Sequence, residues 1–589
     1  MRLVWPYWRK YRVQITVGML CLIVGTFMDL LIPTIVSRII DQGVMAEDLD
    51  RVLRLGGLML LVTGVGAVFT VGRCIISSRV SQQFGADLRV DLFAQINRFS
   101  YAAIGKRDTA GLITRMTNDT AQLVGFTNSL MRMFLRSPVL LVGAVTMTLL
   151  LNPRLALVLA GVVPLIALLM YISMKVGFPL FTRLQEALDA NNAVTREYLS
   201  GVRVVKAYNT FDQEEARFDS TNTTLAATAT KAQRMVGIFF PIISFAVNAG
   251  LVLTLWLARD WVAGSQMQVG QLVAFLNYMM QISMALGMLF NVYQMLVRAR
   301  ASAVRVGEVL AEPDTAQQLG AAITPTWKPC AIAFDRVSFT YPNGVECRGS
   351  QTSHGIPRGE SVLHEISFAL PAGKVLGIIG PTGAGKTSLV QLIPALYAPT
   401  GGTIRIGGVD TTACDVDELR ANIAYVAQAN TIFYGTIADN IRMGKHNASQ
   451  KEIEAAARAA CAHDFIAAYE DGYDTIVGQK GVNISGGQKQ RIGIARALVR
   501  QAPVLILDDC VSAVDVETEA RIMRAILEAE ETPTIVLITQ RISSVMNLEH
   551  ILVMEDGKVA GFGRHGDLME RCEVYREIYD SQLGRGRDC

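Results

Sequence analysis

The sequence predicts an all-α membrane region of six spans followed by a cytosolic α/β domain with a phosphate-binding loop. Of 589 residues, 51% are hydrophobic and 18% are charged, whereas an ordinary soluble domain is about 25% charged. The apolar residues are concentrated between Val13 and Val297, and the glycine-rich segment GPTGAGKTS lies beyond them. This composition excludes a disordered chain, a collagen-like chain and a purely soluble enzyme. The net charge of +3 gives no reason to expect nucleic acid as a partner.

Six apolar segments are long enough to cross a bilayer, because a hydrocarbon core of about 30 Å needs about 20 helical residues. The run that follows the basic N-terminus has no small-residue cleavage site, so we expect a retained span and not a removable signal peptide. The six segments cover residues 13–40, 55–76, 124–151, 155–176, 236–257 and 272–297.

The connections between these segments alternate in length, which predicts their orientation. Residues 41–51, 152–154 and 258–270 form short connections, whereas residues 77–122 and 177–235 form long, charged ones. Lys and Arg residues precede the first span and recur in the first long connection, which places both termini and the long connections in the cytoplasm. The long connections keep a helical apolar period, so we expect the membrane helices to extend into the cytosol. We expect a multi-pass protein of a cell membrane, and the compact chain favours a bacterial inner or plasma membrane.

Several side chains within the spans are candidates for a ligand pathway. Asp29 and Asn248 are costly in a membrane, and each indicates either a pathway or a local hydrogen bond to a partner helix. The fifth and sixth spans carry aromatic and methionine side chains that suit either an adaptable ligand cavity or ordinary helix packing. These side chains are Phe239, Phe245, Phe275, Tyr278, Met279, Met284, Met288 and Tyr293.

The soluble part becomes an α/β pattern after Trp327, and its strand, loop and helix from Lys374 onward predict a phosphate-binding P-loop. The glycines of the loop let successive backbone N–H groups face phosphate oxygens, Lys386 neutralises the β and γ oxygens, and the Thr387 hydroxyl can reach Mg²⁺. The residues expected to bind the nucleotide are Gly380, Pro381, Thr382, Gly383, Ala384, Gly385, Lys386, Thr387 and Ser388.

Two further motifs lie downstream of the P-loop. The segment VLILDD at residues 504–509 is an apolar strand that ends in carboxylates, which makes Asp508 a candidate ligand for Mg²⁺. The segment ISGGQKQR at residues 484–491 places a Ser-Gly-Gly turn before a helix whose N-terminus could bind an anion.

This ordered set of motifs resembles the ATP-binding cassette (ABC) transporter family in its exporter-type arrangement. The resemblance covers nearly the whole chain and implies a half-transporter with a six-span transporter domain at residues 1–310, a linker at 311–326 and a nucleotide-binding domain at 327–589. It implies ATP and Mg²⁺ as cofactors, and a second half-transporter as the partner in a dimer.

The resemblance also implies roles for individual residues. Tyr341 matches the aromatic residue that stacks on adenine, and Gln428 matches the glutamine that touches Mg²⁺ and couples to the membrane domain. Asp515 matches a loop that communicates across the dimer, and turns at residues 108–117 and 208–212 match coupling helices. The signature motif that closes on the ATP of the other half is matched by Ser485, Gly486, Gly487 and Gln488.

Two positions depart from the family pattern, and both bear on hydrolysis. The catalytic glutamate is replaced by Asp509, which is one methylene shorter, and the switch histidine is replaced by Gln540, which cannot carry a proton. We therefore expect this site to bind ATP and hydrolyse it poorly, as in the heterodimeric branch of these exporters. Gln479, where many exporters carry Glu, is a smaller departure that bears on coupling contacts.

The predicted function is ATP-driven export of hydrophobic or amphipathic compounds, of the multidrug or lipid type. An exporter-shaped importer stays open as an alternative, as does an ATP-gated channel or regulatory subunit in which nucleotide binding sets the state. A membrane-tethered NTPase without a transport role is disfavoured by the many spans. The segment at 342–361, with Cys347 and His354, is longer than the family pattern leads us to expect, and we interpret it as a flexible surface insertion and not as a metal sensor.

Overall fold

The protein is described by a computed structural model that covers residues 4–105, 107–264, 266–312, 327–342, 361–510, 514–528 and 532–584. The chain divides into two compact units, one of Met1–Phe93 with Ile113–Ala311 and one of Ala94–Leu112 with Glu312–Cys589. The predicted transporter domain, residues 1–310, includes residues 94–112, which this division groups with the C-terminal part of the chain. Most of the predicted linker and nearly all of the predicted insertion lie outside the described residues.

The N-terminal half of the chain is helical, and six of its described helical segments are long and apolar enough to cross a membrane. The prediction of six membrane helices is therefore confirmed. The α-helices are α1 Trp5–Lys10, α2 Arg12–Ile39, α3 Leu49–Asn97, α4 Tyr101–Gly105, α5 Thr109–Thr114, α6 Thr120–Ser129, α7 Arg136–Leu151, α8 Pro153–Tyr208, α9 Phe211–Ala263 and α10 Val269–Leu310.

Several of these helices are much longer than a bilayer is thick. The helix α8 has 56 residues and α9 has 53, which at about 1.5 Å per residue gives lengths near 80 Å. The predicted helical extensions of the spans are thus present. Short π-helical turns interrupt the series at Ile40–Val44, Arg115–Asp119 and Leu130–Phe134.

The interior of the first unit separates the aromatic and methionine side chains into two groups. Phe275, Tyr278 and Met279 are fully buried in a core that joins α2, α7, α8 and α10. The Tyr278 hydroxyl donates a hydrogen bond to the Leu30 carbonyl at 2.6 Å. These residues therefore pack helices together, whereas Phe245 and Met284 of the predicted set are exposed and Phe239 and Met288 are partly buried.

Two acidic side chains of the first unit, Asp29 and Asp119, pair with arginines. Asp29 accepts a hydrogen bond from Arg136 at 2.9 Å, in agreement with the local hydrogen bond that is one of its two alternatives. Asp119, which is 3% exposed, accepts hydrogen bonds from Ser302 and Arg305 of α10. Asn248 lies on an exposed part of α9.

Within its described residues, the second unit contains two larger sheets and a short two-stranded one. One sheet is antiparallel with the order β2-β1-β4-β5, the second has the order β12-β11-β3-β10-β9-β6, and β7 pairs with β8. The strands are β1 Ile332–Phe339, β2 Leu363–Leu370, β3 Val375–Ile379, β4 Gly401–Ile406, β5 Val409–Asp410, β6 Ile423–Val426, β7 Gly435–Thr436, β8 Ile476–Val477, β9 Val504–Asp508, β10 Thr534–Ile538, β11 His550–Glu555 and β12 Lys558–Gly563.

Helices of the second unit cover the parallel sheet, and apolar clusters pack on it. They are α11 Lys386–Leu392, α12 Val416–Ala421, α13 Ile437–Arg442, α14 Gln450–Ala459, α15 His463–Ala467, α16 Gly486–Leu498, α17 Val516–Leu527, α18 His565–Arg571 and α19 Glu573–Leu583.

The parallel strands place the site at one edge. The strands β6, β9, β10 and β3 run parallel in neighbouring pairs, so their carboxyl ends meet at the same edge of the sheet. Gly380, Gln428 and Gln540 follow the ends of three of these strands, and Asp508 ends the fourth. The sheet thus gathers residues that are far apart in the sequence.

Candidate functional site

The loop between β3 and α11 has the backbone conformation that a phosphate cradle requires. Gly383 and Gly385 have φ values of 91° and 89°, which L side chains rarely adopt. A Cβ on Gly385 would lie 2.8 Å from the Leu363 side chain, whereas one on Gly383 would meet open space. The loop therefore leaves room at its tip, and the N-terminus of α11 follows directly, as an anion site needs.

Lys386 folds back over this loop. Its Nζ donates hydrogen bonds to the carbonyl oxygens of Gly380 and Pro381, both at 2.7 Å. Burial lowers the pKa of the Lys386 ammonium below its usual value, and the nearby carboxylates of Asp509 and Asp508 raise it in part. The ammonium group is thus held at the loop, where a polyphosphate would need a positive charge.

Thr387 and Asp508 supply the oxygen atoms that Mg²⁺ prefers. The Thr387 hydroxyl donates to Asp508 Oδ1 at 3.1 Å, and the Tyr425 hydroxyl donates to Asp508 Oδ2 at 3.0 Å. Asp508 is 1% exposed, and burial raises the pKa of its carboxyl group. The hydroxyl and carboxylate oxygens therefore fit a small divalent cation.

Asp509 lies beside this pair and joins two amide side chains. One carboxylate oxygen, Oδ2, accepts hydrogen bonds from Gln428 Nε2 and Gln540 Nε2, each at 3.1 Å. The backbone of Asp509 has a φ of 46°, in the left-handed region. Burial raises the pKa of its carboxyl group, while the Gln540 amide and the Lys386 charge oppose that increase. The structure thus brings together the three residues predicted to act in hydrolysis.

The signature motif forms the first turn of α16. Ser485 is the N-cap, and its hydroxyl accepts from the Gln488 backbone while the Gln488 side chain accepts from the Ser485 backbone at 2.9 Å. Gly486 and Gly487 lie between them in the first turn of the helix. This reciprocal capping fixes the turn and orients the backbone N–H groups of the helix start.

Tyr341 lies next to the P-loop. Its hydroxyl is 2.8 Å from the hydroxyl of Ser388, and its ring packs edge-on against Tyr397 with centroids 5.2 Å apart. Tyr397 in turn meets Tyr101 of α4, with centroids 5.5 Å apart. The ring predicted to stack on adenine is therefore adjacent to the helix that follows the P-loop.

The other residues and segments that the sequence predicts to be functional have the following local structures. Asp515 caps α17 and accepts from the Thr518 backbone at 2.9 Å, and Gln479 begins a short 3-10 helix, Gln479–Gly481. Within the predicted coupling segments, α5 and a π-helical turn cover most of residues 108–117, and a turn joins α8 to α9 near Tyr208. The coupling roles of these segments stay predictions.

Sequence reasoning missed several residues that complete the site. Tyr425 holds Asp508, and Asn430 donates to the Lys489 carbonyl of α16 at 2.7 Å. Arg541 donates to the Val514 carbonyl and to Glu519. Proximity in the sequence could have indicated these residues. Tyr425 and Asn430 lie on either side of Gln428, and Arg541 is next to Gln540.

Comparison with known proteins agrees with this arrangement. Residues 15–286 match the family described as ABC transporter transmembrane region, and residues 363–512 match the family described as ABC transporter. An uncharacterized ABC transporter ATP-binding protein of Bacillus subtilis (strain 168), YfiB, is 34% identical over 577 residues, which make up 98% of each chain. The chain belongs to the ABC transporter family.

Two more relatives extend the comparison of this ABC transporter. A solved structure of a bacterial Atm1-family ABC exporter with ATP bound matches with a TM-score of 0.81 and 26% identity, over 98% of this chain and 99% of that one. The mitochondrial potassium channel ATP-binding subunit of Rattus norvegicus is 30% identical over 99% of this chain and 81% of that protein. The fusion of six apolar helices to a C-terminal nucleotide-binding domain is thus that of an ABC exporter.

Proposed function

We propose that this ABC transporter is one half of a dimeric, ATP-driven exporter, and that its own P-loop site binds MgATP but hydrolyses it slowly. Its signature motif, Ser485 to Gln488, completes the competent site on a partner chain. The proposal of slow hydrolysis rests on one observation. The side-chain amides of Gln428 and Gln540 both donate to Asp509 Oδ2, at 3.1 Å each.

The chemistry of this contact opposes hydrolysis. A general base must reach the attacking water and accept its proton, and loss of a positioned base typically costs about 10²–10⁴ in rate. Asp509 is shorter than the glutamate of the family pattern, and one of its oxygens already accepts two N–H groups. Gln540 donates to that oxygen and cannot carry a proton as histidine does.

Nucleotide binding does not depend on that base. Lys386 supplies the positive charge for the phosphates, and Thr387, Asp508 and the side-chain oxygen of Gln428 are the groups that would hold Mg²⁺. When bound, the cation neutralises phosphate charge. Tyr341 supplies an aromatic face for the base.

The first unit supports export of hydrophobic or amphipathic compounds, because its six long helices carry apolar side chains and exposed aromatic and methionine side chains. Basic residues around the first span support a cytoplasmic location for both termini and the nucleotide-binding domain. We take a bacterial inner or plasma membrane as the location.

A second candidate function is an ATP-gated channel or regulatory subunit. It is favoured by the weakened base at Asp509 together with the similarity to a protein named as a potassium channel subunit. Accumulation of a substrate against a gradient in proteoliposomes supports the exporter, whereas ATP-dependent ion current without accumulation supports the channel.

The decisive measurement is ATP turnover by the purified chain, alone and with its co-purified partner. We expect negligible turnover alone and substantial turnover with the partner. Asp509→Glu combined with Gln540→His is expected to raise turnover by the chain alone by about 10² or more. Lys386→Ala in that variant provides the control, because it removes the charge needed for nucleotide binding.

Two outcomes would contradict the proposal. Turnover by the unmodified chain alone at the level of the complex would mean that aspartate suffices and that the chain works as a homodimer. Retained turnover of the complex after removal of the partner's own catalytic acid would locate hydrolysis in this chain's site.

A further inference from the structure

Three arginine side chains line one cavity within the first unit. Arg73 belongs to α3, Arg132 to the π-helical turn Leu130–Phe134, and Arg136 begins α7. With Asn128 and Met288 among their neighbours, they line a partly open cavity of about 270 Å³. Each arginine lies in a segment long and apolar enough to span a membrane, where ionisable side chains are costly and usually functional.

The donor groups of this cavity are not all used. Arg73 is 6% exposed, and its Nη1 donates to the Arg132 carbonyl at 2.8 Å. Among the described residues, the buried Nε atoms of Arg73 and Arg136 have no hydrogen-bond partner. An unpaired buried N–H costs free energy, so the hydrogen bonding of Arg73 and Arg136 is incomplete within the part of the chain that the structure describes.

Among the described residues, the guanidinium groups of this cavity have one ion pair, which joins Arg136 to Asp29 at 2.9 Å. Arg73 cannot extend to water as a long side chain at a membrane surface does, because it is buried. A planar guanidinium matches the oxygens of a carboxylate or phosphate in bidentate geometry. π-helical turns such as the one that carries Arg132 occur frequently at functional sites.

We propose that this cavity, lined by Arg73, Arg132 and Arg136, binds the carboxylate or phosphate head group of an amphipathic molecule. Its volume lies just below the range of about 300–1,000 Å³ for complete ligand pockets, so it holds the head group while the apolar chain lies outside. Met288 provides an adaptable apolar wall. This inference rests on the proposed export function only where it takes the bound molecule to be transported. It adds the chemistry of the substrate's head group.

Binding can be measured without transport. The full chain is placed in phosphatidylcholine nanodiscs without ATP and titrated with a fluorescently labelled dodecanoate and with the equally labelled dodecylamine. We expect dodecanoate to bind at least tenfold more tightly than the amine. We expect Arg132→Gln to weaken dodecanoate binding about tenfold or more, because a hydrogen bond to a charged group is lost.

Matched variants separate binding from folding. Arg54→Gln changes an exposed arginine of α3 and is expected to leave dodecanoate affinity unchanged. Because Arg136→Gln alone would leave Asp29 without its partner, it is combined with Asp29→Asn. We expect that double variant to fold and to bind dodecanoate at least tenfold more weakly. Arg132→Lys, which keeps the charge, is expected to fall between the wild type and Arg132→Gln.

The source of the head group is tested by competition. Displacement of labelled dodecanoate by phosphatidylglycerol added to the nanodisc assigns the cavity to a lipid, and displacement by free dodecyl phosphate alone assigns it to a transported compound. Equal affinities for dodecanoate and dodecylamine, or an unchanged affinity in Arg132→Gln, would overturn the proposal. Dodecanoate binding without any ATP-driven accumulation would leave the site in place and remove only the export function.

Discussion

Tyr341 contacts the helix that follows the P-loop through its hydroxyl, and its ring is predicted to stack on adenine. Its hydroxyl bonds to Ser388 at 2.8 Å, and Ser388 follows the P-loop residues Lys386 and Thr387. Its ring is positioned by Tyr397, which it meets edge-on. The side chain therefore has a structural contact, through its hydroxyl, that is separate from the expected role of its ring.

Because the ring and the hydroxyl of Tyr341 have separate contacts, removing the whole side chain and removing only the hydroxyl should affect ATP binding differently. Tyr341→Ala removes the ring and is expected to weaken ATP binding about tenfold, since stacking of an aromatic ring on a base contributes about 1–3 kcal/mol. Tyr341→Phe keeps the ring and loses the hydroxyl, so we expect ATP affinity within about threefold of the wild type. The measurement is equilibrium binding of ATP to the full chain.

Inorganic tripolyphosphate, which has no base, serves as the control ligand. Its affinity is expected to be the same in the wild type and in Tyr341→Ala. A parallel loss of tripolyphosphate affinity would show that the ring supports the P-loop and does not stack on adenine.

At the scale of elements, Asn430 connects α16 to the loop that contains Gln428. A Cβ on Gly493 would lie 1.6 Å from Asn430 Nδ2, and Asn430 donates to the Lys489 carbonyl. Gly493→Ala must therefore displace Asn430 and break that hydrogen bond. We expect a loss of about 1–2 kcal/mol in stability, measured as a lower temperature of thermal unfolding.

Two further variants test this explanation. Gly566→Ala, in α18, meets nothing within 4 Å of the added Cβ and is expected to leave the unfolding temperature unchanged or raise it. Asn430→Ala combined with Gly493→Ala is expected to be no less stable than Asn430→Ala alone, because the displaced side chain is gone. Simple additivity of the two losses would argue against the contact.

The start of α14 has a stability that depends on pH. Glu452 accepts hydrogen bonds from the Ser449 backbone at 2.7 Å and from the Ser449 hydroxyl at 2.8 Å. The hydrogen bond from Lys445 and these two contacts lower the pKa of Glu452 to about 2. The folded pKa lies below the unfolded value of about 4.3, so the stabilisation is complete above the unfolded value and is lost as pH falls towards the folded value.

We therefore expect Glu452→Gln to lower the unfolding temperature most at neutral pH. The difference between wild type and variant should decrease once the pH falls below about 4.3. Thermal unfolding of the full chain at pH 7, 5 and 4 gives the measurement. A difference that is constant over this range would mean that the carboxylate charge does not stabilise the cap.

At the scale of the whole molecule, an asymmetric dimer would make ATP turnover depend more on one of its two ATP sites than on the other. Under the proposed function, Ser485 of this chain acts at the partner's competent site, whereas Lys386 acts at the slow site. In the complex, Ser485→Ala is expected to lower ATP turnover by about 10² or more, and Lys386→Ala by less than about tenfold. The reverse order of these effects would assign the competent site to this chain.

Much of this architecture could be predicted from the sequence because its signals are local. Apolar runs of membrane length indicate six helices, and the P-loop motif contains its own turn residues, including Gly383 and Gly385. The convergence of Asp508 with Thr387 follows from the rule that parallel strands end at one edge. Predicting these elements requires little information about contacts between residues that are far apart in the sequence.

The remaining features depend on tertiary contacts that no local pattern reveals. The pairing of Arg136 with Asp29 joins residues from two helices, and the cavity beside it needs Arg73 from a third. The grouping of Ala94–Leu112 with the C-terminal unit likewise depends on contacts such as that of Tyr101 with Tyr397. Spacing along the chain contains no signal for such contacts.

The shared oxygen of Asp509 has a consequence for how this site can evolve. Because Gln428 and Gln540 donate to the same atom, a longer acid at Asp509 moves its carboxylate against both amides, and a change at Gln540 removes one donor from whichever acid is present. The fitness effect of either mutation therefore depends on the other, which is epistasis. In a laboratory lineage selected for growth that requires turnover by this chain alone, the second mutation should follow the first rapidly, and neither should persist singly.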